Sequence, residues 1–286
     1  MRKLLILAAM LAVLAAPAWA NGLDLAKQGL AAQQKGDWNG AVALYTQALA
    51  TGDLADKAKV QVMGLRANAL GSSGDAAGAI AEFDALIKFA PGDPKPLVGR
   101  SIAERQAERY DSAIADATAA LALKNDDVFA NTNRGLAELY AGKFAEAAED
   151  FAKSSAADPK EPDFVLLLHI SRARAGQDDA KEFAANAAKL DLKSWSGAAV
   201  AMFLGKLSPE ETRRAANVEQ NPVVRNQQHC EAAYYLGEDA FLKKHPNEAR
   251  DLFDEVLKSC AMYRGTYAYF SNVYGAAKTE LDRFPR

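Results

Sequence analysis

Cysteine and histidine are scarce in this 286-residue chain, and that scarcity removes most of the chemistry a protein could be built for. The only histidines are His169, His229 and His245, and no His-x-x-x-His or Cys-x-x-Cys spacing occurs, so neither a metal site nor a paired redox motif is supported. There is no G-x-S-x-G elbow, no P-loop and no glycine-rich turn between a strand and a helix. Acidic side chains are spread along the chain rather than converging, so no catalytic pair stands out. The expectation is a non-enzymatic protein without a cofactor. Lys and Arg do not cluster, and the formal charge is −3, which excludes nucleic acid and anionic lipid as natural partners. No alternating run suggests a strand, and one apolar run alone, Leu4 to Ala16, is long enough to notice.

That run belongs to a segment with its own logic. Arg2 and Lys3 precede it, and Ala18-Trp19-Ala20 follows as a small-x-small cleavage site. The run is short for a membrane span and no lipid-carrying Cys follows. Residues 1–20 therefore read as a cleaved signal peptide, predicting export to the periplasm, no integral membrane segment afterwards, and a mature charge of −5.

What the chain has in quantity is periodicity. From Val128 to Glu161, Gly135 stands at position eight, Gly142 at fifteen, Phe144 at seventeen, Ala147 at twenty, Phe151 at twenty-four and Pro159 at thirty-two. Small residues at eight and twenty let two antiparallel helices approach, the glycine turns the chain and the proline ends the second helix. One period of 34 earlier, 94–127 repeats much of this with Tyr110, Ala113, Ala117 and Ala120; 60–93 repeats it with Gly74, Asp75, Ala79, Phe83 and Pro91. A first unit, 22–55, carries Gly29, Gly36, Asp37, Trp38, Ala41, Tyr45 and Ala48, and residues 56–59 read as an early start to the next helix.

This skeleton resembles the tetratricopeptide repeat. The resemblance implies an all-α, right-handed superhelical solenoid of antiparallel helix pairs that works by holding proteins. Four units fill 21–161. Residues 162–228 hold a degenerate unit, in which Ala180 and Phe183 fall early, and an irregular region with a Ser208 cap before Pro209. Residues 229–286 hold a final unit from Cys230, with His245-Pro246-Asn247 as its turn. A terminal helix follows, with Tyr267, Phe270, Tyr274 and Leu281 on one face as a cap over the last repeat.

Aligned units expose a charge pattern. Arg66, Arg100 and Arg134 occupy position seven, and Glu82, Asp116 and Asp150 position twenty-three; Gln28, Leu168 and Leu236 replace the arginine where Leu44, Ala184 and Leu252 replace the acid. Joint loss predicts three structural ion pairs, within a unit or to its neighbour, because either charge left buried alone costs several kcal/mol. Cys230 and Cys260 sit at adjoining ends of the last helix pair, which in an exported chain favours a disulfide over two buried thiols.

The resemblance also nominates a partner-binding groove: Asn68, Lys95, Arg105, Phe129, Thr132, Asn133, Leu136, Tyr140 and Arg174. The family's carboxylate clamp maps to Ala26, Leu30, Leu65, Lys95 and Gly99, of which Lys95 alone fits, so a chaperone tail is not expected. Trp195, the MFLGKLSPEE stretch from Met202, CEAAYYLGE from Cys230 and the Ala276 to Leu281 helix resemble NlpI-type periplasmic adaptors. That implies a protein or peptide partner in the cell envelope, for which an accessory or chaperone role in a secretion or transport complex is the competing reading. Self-association is compatible with either.

Overall fold

A computed structural model describes residues 21–261 and 273–284; the proposed signal peptide and the aromatic positions Tyr267 and Phe270 lie outside them. Every regular element among the described residues is a helix. The pairs are α1 (Gly22–Gln34) with α2 (Trp38–Ala50), α3 (Asp56–Ser72) with α4 (Ala76–Phe89), α5 (Pro94–Gln106) with α6 (Tyr110–Leu123), and α7 (Val128–Ala141) with α8 (Phe144–Ala157). The array continues with α9 (Pro162–Arg174) and a short α10 (Ala180–Ala187), then α11 (Trp195–Phe203), α12 (Pro209–Ala215), α13 (Pro222–Leu242), α14 (Pro246–Ser259) and α15 (Val273–Arg283). None of these helices is long and apolar enough to cross a membrane.

Three units use one device to bring their helices together. Gly29, Gly135 and Gly237 each face an aromatic residue 16 positions on: a Cβ would stand 2.6 Å from Tyr45, 3.1 Å from Phe151 and 2.6 Å from Phe253. Those rings are completely buried. In the third unit Ser101 takes the glycine's place and donates to the Ala113 carbonyl at 2.8 Å, so a hydrogen bond replaces the ring contact. Asp37, Asp75 and Asp127 cap α2, α4 and α7 by accepting backbone N–H bonds, and Ser208 forms a reciprocal capping box with Glu211 at α12.

Position fifteen turns each pair and is left-handed in all six units: Gly36, Gly74, Glu108, Gly142, Gly176 and Lys244 have φ between +61° and +91°. Glycine is suited to this; Glu108 and Lys244 are not, and each is held there at a cost of about 1–2 kcal/mol. The last unit differs from the sequence reading on two counts. Its turn is Lys243 to His245, with Pro246 already the first residue of α14, and α13 begins at Pro222, so Cys230 lies inside the helix instead of opening it. Cys230 and Cys260 are joined, Cα atoms 5.9 Å apart.

Consecutive first helices, α1–α3, α3–α5 and α5–α7, pack on one another more closely than consecutive second helices do, which places them on the concave side of the stack. Small separate cores serve the N-terminal units. From α7 onward one continuous core runs from Leu136 to Ala277. The degenerate fifth unit is the reason for the change: α10 is only eight residues long, so α11 also packs on α9, and α13 reaches back to α9. The array therefore bends far enough for its C-terminal end to meet its middle.

Candidate functional site

The three arginine–acid pairs sit between the two helices of one unit. Arg66 lies 2.7 Å from Glu82, Arg100 2.6 Å from Asp116 and Arg134 2.5 Å from Asp150. Asp116 and Asp150 each accept from the Nε and Nη2 of their arginine, the fork geometry that suits guanidinium and carboxylate, whereas Glu82 takes both of its bonds from Nη2 of Arg66. Arg100 also reaches Asp84 of the preceding unit at 2.5 Å, tying the second unit to the third. Glu138 lies against the Arg134 pair, 3.8 Å from Arg134; burial first, then the Asp150 charge, pushes its carboxyl up to about 7.

The groove nominees part company. Lys95 is exposed at the start of α5, Asn68 is half-buried on α3 and Phe129 is exposed on α7. Thr132 and Leu136 do not line an open groove. Thr132 hydrogen bonds Ser154 of α8 at 2.9 Å, and Leu136 is in the core, because position five and position nine of that unit face the partner helix. Asn133 is buried and donates back to the Phe129 carbonyl at 2.9 Å.

Tyr140 and Arg174 are covered for a different reason: α15 lies across the concave side, and Arg105 is buried beside Tyr140. Helix α15 packs on α14 and α13 as a cap would, and continues to α7 and the α5–α6 turn. Arg174 of α9 bonds Glu238 of α13 at 3.0 Å and Glu280 of α15 at 2.5 Å, while its guanidinium stacks over Phe241 at 4.2 Å and Phe144 at 4.6 Å. Arg283 pairs with Glu280 and donates to the Leu139 and Tyr140 carbonyls at the end of α7. Thr279 meets the Tyr110 hydroxyl at 3.2 Å, and Lys278 pairs with Glu108. Burial, with the Glu280 charge, pushes Glu238 upward. The terminal helix is thus more than the end cap expected from its sequence.

Sequence reasoning missed a second polar cluster. Asp163 on α9 and Glu231 on α13 are both pushed upward, by burial before all else; Asp163 reaches about 7. Glu231 accepts from Trp195 at 2.6 Å and from Gln227 at 3.0 Å. Asp163 falls on groove position two of its unit, the one available signal. Among the described residues no three His, Cys, Asp or Glu side chains gather to hold a metal ion.

An all-helical stack with a 34-residue period, an inner layer of first helices and a helix seated against it defines a protein-binding solenoid. The family model for the tetratricopeptide repeat matches residues 26–94 and 98–162, the span of the first four units, and that stretch is built of tetratricopeptide repeats. Among solved structures, a tetratricopeptide repeat protein from Parabacteroides merdae is 14% identical with a TM-score of 0.54, over 91% of this chain and 97% of its own. A double mutant of MamA from RS-1 is 20% identical with a TM-score of 0.50, over 59% of this chain and 91% of its own. At such identities the likeness speaks for the fold.

Proposed function

We propose that this chain is a non-enzymatic scaffold exported to the bacterial periplasm, where its concave face holds a segment of an envelope protein. Its role is that of an adaptor for cell-wall or envelope machinery. The observation that carries the reading is the seat of α15. Arg174 of α9, Phe144 of α8, Glu108 of the α5–α6 turn and the last backbone carbonyls of α7 hold a helix by ion pairs, carbonyl caps and cation–aromatic stacking, and a groove that takes one helix can take another. The charged leader-like start of the sequence and the Cys230–Cys260 bond support an oxidising compartment.

Site-specific photocrosslinkers at Asn68 and Lys95, on the inner helices, test this against one at Glu149 on α8. Capture in intact cells of a cell-wall hydrolase or envelope protease from the inner positions alone is expected, on a chain whose first residue is Asn21. Retention of Met1 in the cytoplasm overturns export, and equal capture from Glu149 overturns the concave site. Capture of secretion or transport subunits instead selects an accessory role in such a complex.

A further inference from the structure

Arg105 is among the largest fully buried side chains, yet no carboxylate of the described residues forms an ion pair with it. Its Nε and Nη1 have no hydrogen-bond acceptor, and both amide atoms of its neighbour Gln106 are also unpartnered. The nearby acids are engaged elsewhere, Glu104 with Arg109 at 3.4 Å and Glu108 with Lys278. Arg66, Arg100, Arg134, Arg174 and Arg213, by contrast, all have acid partners. A buried guanidinium with idle donors is costly, and the hydrogen bond it shares with Tyr140 leaves both of these nitrogens unmet.

Arg105 adjoins the α15 seat through Tyr140. Its guanidinium lies 5.7 Å from the centre of the Tyr140 ring, which packs edge-on against Tyr110 at 5.8 Å. Tyr110 is bonded to Thr279, and the Tyr140 carbonyl is bonded by Arg283. At the two tyrosines, one contact away from Arg105, α15 thus presents a hydroxyl and a cation. Beside the two tyrosines opens a notch of about 560 Å³ bounded by Lys143 and, from α15, Thr279, Asp282 and Arg283. Glu108, the acid that holds Lys278, sits in a left-handed conformation at φ 61° where four of the units have glycine, the kind of strain that collects at ligand clamps.

We propose that Arg105 is the anchoring cation for an acidic side chain on a partner's helix, and that this helix binds by displacing α15, an imperfect occupant of its own groove. The inference rests on the concave-face reading above and deepens it by naming the partner's chemistry. Arg105 is at position twelve of its unit, outside the family's carboxylate clamp, whose matching positions here are mostly apolar or glycine.

The probes are two labelled peptides of residues 273–284, one with Thr279→Glu and one with Thr279→Gln, titrated by fluorescence anisotropy against the full chain. A second chain, Lys278→Ala with Arg283→Ala, has its own α15 loosened. The Glu peptide is expected to bind both chains at least about tenfold tighter than the Gln peptide, the worth of one charge-assisted hydrogen bond. Arg105→Gln is expected to erase that difference while melting no lower than the wild type. Equal affinities of the two peptides for the loosened chain overturn the role of Arg105 and leave the groove standing. Failure of both peptides to bind the loosened chain overturns the groove reading as well. A peptide carrying an internal Gln but a free C-terminal carboxylate that matches the Glu peptide overturns the side-chain assignment.

Discussion

Arg174 and Glu280, 106 residues apart in the chain, meet at 2.5 Å with both side chains buried. Their contact fastens α15 to the inner helices, and Glu238 completes a triad in which two acids share one guanidinium. Truncating one member of such a set leaves the others desolvated and poorly paired. Glu280→Ala keeps the Arg174–Glu238 pair, so its effect is expected to be local. Amide exchange over 273–283 should speed up at least tenfold, as expected for losing about 1.5–3 kcal/mol of local protection, while the first four units exchange as before.

The repeats themselves contain the control for the arginine–acid pairs, since the sixth unit carries Leu236 and Leu252 at the positions of Arg134 and Asp150. Arg134→Leu alone leaves the buried Asp150 only the half-exposed Lys153 as a cation partner and is expected to cost about 3 kcal/mol by urea denaturation. Arg134→Leu with Asp150→Leu is expected to recover to within about 1 kcal/mol of the wild type, because the charge and its partner leave together. A double variant as weak as the single one would assign the cost to lost packing.

Lys244 is the second turn residue with positive φ where glycine is the norm, at 64°, and its side chain is exposed. Lys244→Gly is expected to raise stability by about 1 kcal/mol, measured as a shift in the denaturation midpoint at unchanged slope. Glu108→Gly relieves the same strain but removes the Lys278 pair, so its gain should be smaller.

Asp163, held up near 7 by burial, makes stability depend on pH with a definite sign. The native state keeps the proton between the ordinary carboxylate range and about 7, whereas the unfolded chain has released it. The native state therefore binds more protons in that window, and its contribution to stability is present at the acid end and lost as pH rises towards 7. Asp163→Asn is expected to flatten that fall and to be the more stable form at pH 8, by an order of a few kcal/mol. Melts of both proteins at pH 5 and pH 8 give the comparison.

The arginine–acid pairs were readable because six imperfect copies of one unit stand in a single chain, and joint substitution across copies reports contact. The Gly–aromatic contacts were readable for the same reason, each lying 16 residues apart within one helix pair. The groove was not. Position numbers alone nominated Thr132 and Leu136, which face α8 and the core, and offered no hint that Tyr140 and Arg174 were already covered. Glu108 at a glycine position, a departure shared only by Lys244 among the six units, is the residue that Lys278 of α15 grips.

By itself, the sequence determined the helix pairs, their 34-residue spacing and the tetratricopeptide class, since all of these follow from contacts between residues within one or two units. Only the tertiary structure decided where the C-terminal helix lies. Its bonds to Tyr110 and Glu108 span 169 and 170 residues. They exist because small rotations at each interface, and the shortened α10, add up to a bend that brings the last helix over the third and fourth units. A sum of that kind is not written in any local pattern of residues; it appears only when the whole stack is assembled.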